Sequence, residues 1–430
     1  MAELTGYDLF NWARDLFPIN RSITGPGVRE TLIYIKNLFP ELTIHEVPSG
    51  TIVFDWTIPD EWSIESAYIE SEKGERIVDF ANTNLHVVAY SEPVDEWMSY
   101  DELDKNLFSL PDQPDAIPYI TSFYKRNWGF CLTHNQRLSL DKKLLYHVVI
   151  ISKLEKGSLT YGELIIPGKS EKEVLISTYT CHPSLGNNEI SGIVVTMGLS
   201  YWLTRLINRE YTYRILFIPE TIGAITYLTK HSEEMKAKTI AGFVVTCVGD
   251  DRAYSFMPSR TGKTLADKIA RFTLENYLDQ YDEYSFLERG SDERQYCSPL
   301  IDLPVVSVMR SKYGTYPEYH TSLDNLELIS PEGLVGAFSI ISKCLEVLEI
   351  NHTYIVTIPC EPQLGKRGLY RLSSTQTGGD TINNLLAYLD GKTDLVDISK
   401  IIQADIFVCN ETILTLLKYS LIKKISNING

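Results

Sequence analysis

The chain has 430 residues, 44% of them hydrophobic, and a formal net charge of −16 from 40 basic against 56 acidic side chains. At roughly 150 residues per domain this length calls for two or three domains, with ample apolar material for a large core. A surface this acidic repels phosphate backbones and anionic lipid, so neither nucleic acid nor a membrane is the expected main partner, while self-association stays open.

The start, MAELTGYDLFNWARDLFP, has no basic region followed by an apolar one, so no signal peptide is expected. Tyr7 to Phe17 places Leu9, Phe10, Trp12, Ala13, Leu16 and Phe17 at helical spacing. After Pro18 and a turn at Gly25–Gly27, Val28 to Phe39 repeats the pattern, and Thr43–Val47 reads as a strand. From 52 to 136 the texture changes to short strands, tryptophans and frequent turns (IPDEW, SEKGER, LPDQPDAIP), which predicts a β-rich insert.

Between 145 and 350, apolar runs alternate with amphipathic helices. The runs are Tyr146–Ile151, Glu163–Ile166, Val174–Thr178, Tyr213–Ile218, Ala241–Val248 and Pro304–Met309. The helices are expected near 190–208, 223–235, 262–277 and 331–349. This rhythm predicts an α/β fold with a mixed, mostly parallel sheet and helices on both faces. After 352 three helical segments (381–389, 394–402, 408–420) and a short strand from Leu421 have the pattern of a winged helix. The expected division is a discontinuous catalytic domain (1–51 and 137–351), the insert (52–136) and a winged-helix tail (352–430). Residues 381–430 hold five lysines and five acids, so that tail lacks the basic face of a DNA reader and is expected to pack on the chain or contact protein.

No stretch approaches the ~20 apolar residues of a membrane span. The seven cysteines are scattered without a C-x-x-C, which points to reduced thiols in a cytoplasm and excludes a cysteine-rich zinc site.

Ligands in such folds bind beyond the C-terminal ends of the strands. His182 follows the run EVLISTYT, and His320 follows VVSVM in PEYHTSLDN. Glu220 ends YRILFI, and Asp250 with Asp251 ends VVTCVGDD. Imidazole and carboxylate delivered to one sheet edge suit zinc with an open position for water, a hydrolase constellation. Arg289, Asp292, Glu293, Arg294, Tyr296, Arg310, Lys312 and Tyr319 are candidates for gripping a substrate carboxylate or amine, since guanidinium pairs bidentately with carboxylate. Tyr313 and Tyr316 can line a pocket or simply pack.

The blocks TCHPSLGNNEISGIVV, FIPETIGA, GDDRAYSFMPSR, RGSDERQYCSP and MRSKYGTYPEYHTSLDNLELISP resemble the signature of bacterial aminopeptidase-like proteins that carry an inserted domain of unknown function and a C-terminal winged helix. The resemblance covers nearly the whole chain. It implies the zinc-exopeptidase fold, shared with glutaminyl cyclases, and an association with polysaccharide biosynthesis. It also implies His182 and His320 as the first and last metal ligands, with Ser191-Gly192 opening a helix after the bridging position. There Asn188 stands where the relatives have aspartate, with Glu189 one residue on. Against the relatives' Glu-Glu pair the chain has Glu220 alone, as ligand or as base. A further aspartate ligand would fall near Thr246 or Cys247. The metal set is thus His182, Asn188, Glu220 and His320, and one zinc is favoured over two.

The implied activity is a zinc aminopeptidase-like hydrolase that cleaves a peptide or other small amide. The alternatives are a catalytically weakened binding or regulatory protein on the same fold, or a one-zinc cyclotransferase or amidohydrolase on an amino-sugar precursor.

Overall fold

A computed structural model describes residues 4–369 and 380–425. The first two helices form where the spacing predicts them. Gly6–Leu16 is opened by Thr5, whose side chain accepts from the Asp8 N–H while the Asp8 carboxylate accepts from the Thr5 N–H. Pro26 starts the helix Pro26–Leu38, where its missing donor costs nothing.

An eight-stranded sheet organises the chain up to 341. Its strand order is Thr43–Pro48, Ser158–Ile166, Thr212–Ile218, Glu173–Tyr179, Thr239–Val244, Val305–Met309, Ser255–Met257, Asp282–Glu283. The four central strands run parallel; Ser158–Ile166 and Thr43–Pro48 extend them with antiparallel pairings on one side, and on the other Ser255–Met257 pairs antiparallel with Val305–Met309 and parallel with Asp282–Glu283. All residues of Glu173–Tyr179 and Val305–Met309 are buried, as central strands of a covered sheet must be. The helix Ser191–Arg205 packs on Glu173–Tyr179, and Pro26–Leu38 packs on Ser158–Ile166. Gly192 permits the first approach: a Cβ there would lie 2.6 Å from Thr178 Oγ1 and 2.6 Å from the Val245 carbonyl oxygen.

The run Tyr146–Ile151 is a correction to the sequence reading. It sits in Leu145–Glu155, the third member of a separate antiparallel sheet ordered Arg76–Asp79, Glu61–Ser71, Leu145–Glu155, Val94–Ser99. The sheet of the β-rich segment therefore continues past 136. A continuous apolar run looks the same whether its covered faces belong to a parallel or an antiparallel sheet, so periodicity alone does not assign it. Trp62 anchors this segment: it is 3% exposed and its Nε1–H donates to the Ser91 carbonyl at 3.0 Å.

Residues from 342 onward, with Arg271–Tyr277, form a second compact unit. It contains the helices Asp380–Tyr388, Leu395–Ile402 and Ile406–Lys418, and a sheet ordered Asp390–Asp394, Thr353–Val356, Ile422–Lys424. Asp394 and Asp405 cap its last two helices through their side chains. Among the described residues no helix is long and apolar enough to cross a membrane. All seven cysteines are free.

Candidate active site

Three strand exits meet at one cavity of about 260 Å³. Its wall includes His182, Glu220, Arg294 and His320, joined by Tyr119, Trp56 and Tyr124 from the β-rich segment. The exits are tied to one another: the Glu220 N–H donates to Cys181 Sγ at 3.2 Å, and the Thr180 N–H donates to the Ile218 carbonyl at 3.0 Å. Thr221, Cys247 and His320 have φ of 64°, 51° and 57°. Left-handed backbone at non-glycine residues is strain of the kind that functional sites hold.

His182 is 5% exposed. Its Nδ1–H donates to Glu189 Oε2 at 3.0 Å, and its Nε2 lies 3.9 Å from Glu220 Oε2. Behind Glu189 stands Arg21, which is fully buried, with Nε 3.3 Å from Glu189 Oε1 and 3.1 Å from the His182 carbonyl oxygen. Burial opposes the charged imidazole, but the hydrogen bond and charge of Glu189, aided by Glu220, outweigh it and raise the His182 pKa. His320 differs. Burial, with His182 opposite, pushes its pKa down to about 3, so it is neutral. Its Nε2 is buried with no hydrogen-bond partner among the described residues. The two imidazole centroids are 5.6 Å apart.

Burial also raises the Glu220 pKa, against the opposing charges of His182 and Arg294. Asp292, buried behind it, is pushed well above the usual carboxylate range by burial and then by Glu220. The Thr221 N–H donates to Asp292 Oδ1 at 2.7 Å, and Arg294 donates to Thr221 Oγ1 at 2.6 Å.

The other expected residues lie elsewhere. Tyr319 does not line the cavity but stacks on His320, with centroids 4.0 Å apart. Arg289 is exposed and lies over the Phe286 ring. Arg310 is buried, donating to the Asp250 carbonyl at 2.7 Å. Asp250 brackets the loops, accepting from Asn187 Nδ2 at 2.9 Å and Ser311 Oγ at 2.8 Å. Asp251 contacts Ser330 Oγ at 3.5 Å, at the limit of a hydrogen bond.

Asn188 is buried in a π turn, Gly186–Ile190, that sends three successive side chains to three partners. Asn187 faces Asp250 and Glu189 faces His182, while Asn188 Oδ1 accepts from the Tyr179 hydroxyl at 2.7 Å. Thr246 Oγ1 lies 2.5 Å from that same hydroxyl. Asp324 caps the turn, accepting the N–H groups of Asn187 at 2.5 Å and Asn188 at 3.0 Å.

Burial raises the Asp324 pKa to about 6 against the pull of those two N–H groups and Tyr316. The folded state then binds this proton more tightly than the unfolded chain. That advantage is complete below about pH 4 and is lost as pH rises through about 6. Relative to Asp324→Asn, the wild-type chain should therefore lose about 2.4 kcal/mol of stability between pH 4 and pH 7. Urea unfolding at both pH values measures this, and a pH-independent difference would show that Asp324 does not titrate there.

The donor set bears on zinc. Asn188 and Thr246 are neutral and engaged with Tyr179, and Thr221, beside Glu220 where the relatives have a second acid, is neutral and accepts from Arg294, so they lack the charge that a two-metal centre needs. His182, His320 and Glu220 remain, a two-imidazole, one-carboxylate set of the donor types that a single zinc takes. Glu189 on Nδ1 is the carboxylate that commonly orients a metal-binding histidine. Among the described residues, Cys181, His182 and Glu189 are the set of three such donors whose ligand atoms lie within 4.8 Å of one another. Glu189 in this set is ion-paired with Arg21 and accepts from the His182 Nδ1–H, so it orients the histidine.

Sequence reasoning missed Arg21, Asp324 and Tyr119, and gave Glu189 no role. Glu189 was within reach, being an acid displaced one residue from the expected position. Tyr119 carried no signal as one of 26 tyrosines.

Comparison with known proteins adds the following. The family model "Domain of unknown function (DUF4910)" matches residues 10–351, and a winged helix-turn-helix model matches 352–424. A Clostridium acetobutylicum protein, provisionally named as a polysaccharide biosynthesis protein with an aminopeptidase-like domain, is 46% identical over 92% of this chain and 91% of its own. A crystal structure of a candidate peptidase from Clostridium acetobutylicum superposes with a TM-score of 0.92 at 42% identity, covering 98% of this chain and 96% of that one. BSAP, a zinc aminopeptidase from Bacillus subtilis, shares the fold with a TM-score of 0.59 at 12% identity, over 81% of this chain and 96% of its own.

Proposed function

The chain belongs to the family of the Domain of unknown function (DUF4910), and from that premise we propose that it is a one-zinc hydrolase of peptide or other small amide bonds. The observation that carries this reading is the convergence of His182, His320 and Glu220 on one cavity. A zinc ion held there supplies Lewis-acid polarisation of the scissile carbonyl and lowers the pKa of water. Glu189, backed by Arg21, holds the His182 ring so that Nε2 faces the cavity. Glu220 divides two roles between its oxygens, ligand and proton acceptor, and returns the proton to the leaving amine as the C–N bond breaks. Arg294 offers a guanidinium to a substrate carboxylate.

The test is metal content together with activity on a panel of amino-acid 4-nitroanilides and N-acetyl amino sugars. The sugars enter because of the name borne by the Clostridium acetobutylicum relative. His320→Ala should remove stoichiometric zinc, and unchanged occupancy would sink the site. The neutral trio Asn188, Thr221 and Thr246 favours a second reading, a binding or regulatory protein on this fold. Absence of zinc after reconstitution supports that reading instead. The charge-neutral winged-helix segment is assigned a protein-contact role, and DNA binding in an electrophoretic shift would overturn it.

A further inference from the structure

Tyr119 comes from the β-rich segment, far in sequence from every strand exit. It is 9% exposed, and its hydroxyl has no hydrogen-bond partner among the described residues. A buried polar atom left unpaired in a cavity wall is a place where a ligand can bond. The ring packs against both imidazoles, its centroid 5.2 Å from that of His182 and, edge-on, 5.3 Å from that of His320. It lines the same cavity as Glu220.

Its backbone is stitched to the loop of His320. The Tyr119 N–H donates to the His320 carbonyl at 2.8 Å, and the Ser322 N–H donates to the Ile117 carbonyl at 2.8 Å. Ile117 N–H donates in turn to Ser322 Oγ at 3.0 Å. The ring is thus held against the imidazoles by main-chain bonds. Tyr124, the other phenol in this wall, is 56% exposed and competes with water.

We propose that Tyr119 is a catalytic residue, the donor of a hydrogen bond to the substrate carbonyl oxygen as that oxygen takes up negative charge. The proposal rests on the hydrolase reading above. The phenol keeps its proton throughout: water adds to the carbonyl carbon, the C–N bond breaks, and the water proton reaches the amine through Glu220. A fixed donor in a dry wall stabilises developing charge without reorganising.

Tyr119→Phe retains the ring and its packing. On the best-cleaved amide of the panel it should lower kcat on the order of 10²-fold, with KM within about threefold. Zinc occupancy and the urea midpoint should not move. A kcat within threefold of wild type, or a loss confined to KM, overturns the assignment. A binding readout separates this from failure of the hydrolase reading. L-leucine phosphonic acid, a tetrahedral oxyanion mimic, should bind the variant about tenfold more weakly by calorimetry, while L-leucine binds both proteins alike. If wild type cleaves no amide yet shows this difference, the hydrolase reading fails and the donor survives. Equal phosphonate affinity in the two proteins, or none in either, overturns the donor.

Discussion

Glu220→Gln should reduce amide hydrolysis by on the order of 10²–10⁴-fold, the range that a positioned general base contributes. The substitution keeps the size of the side chain, the half-buried setting and one carbonyl oxygen. It removes the only carboxylate among the described residues of the cavity wall, 3.9 Å from His182 Nε2. Arg294 and Asp292 lose the charge they face, so the variant should be at least as stable as wild type: burial already penalises this carboxylate. Zinc content measured beside the rate apportions the loss. Full zinc with a lost rate assigns proton transfer, and zinc lost in parallel assigns ligation. Activity within a few fold of wild type would remove Glu220 from the chemistry altogether.

Arg21→Met should cost about 3–5 kcal/mol of stability, because it strands a buried carboxylate. Arg21 and Glu189 are both inaccessible to solvent. The guanidinium also donates to the Leu16 carbonyl at 2.8 Å, so it ties the end of the first helix to the His182 exit. Burial depresses the Arg21 pKa, and the charge of Glu189 only partly offsets this. Forming the pair is therefore costly, while breaking it is costlier. Urea unfolding of Arg21→Met, Glu189→Gln and the double variant measures the coupling. The double variant should lose clearly less than the sum of the singles. A loss under about 1 kcal/mol in Arg21→Met would mean that Glu189 finds another partner or a proton.

Much of the architecture was legible before any coordinate. Helical spacing placed Gly6–Leu16 and Pro26–Leu38, and the apolar runs of the α/β part proved to be strands of the main sheet, except Tyr146–Ile151. The strand-exit argument marked His182, Glu220 and His320, and all three line one cavity. These are properties of short windows: a strand, its apolar face, and the polar residue that ends it. The substrate candidates fared unevenly for the same reason. Arg294 lines the cavity, whereas Arg289 and Arg310, equally polar and equally near a strand end, turn to Phe286 and Asp250. Spacing puts a residue in a loop but does not say which way a long side chain leaves it.

The chain by itself determined which exits could carry chemistry, and that charge is missing at Asn188. Only the tertiary structure decided what replaces that charge. The π turn points Glu189 at His182, Arg21 reaches Glu189 across more than 160 residues of chain, and the β-rich segment sets Tyr119 against both imidazoles. Each depends on a contact between segments far apart in sequence. Such contacts follow from how whole elements pack, and no local periodicity encodes that packing.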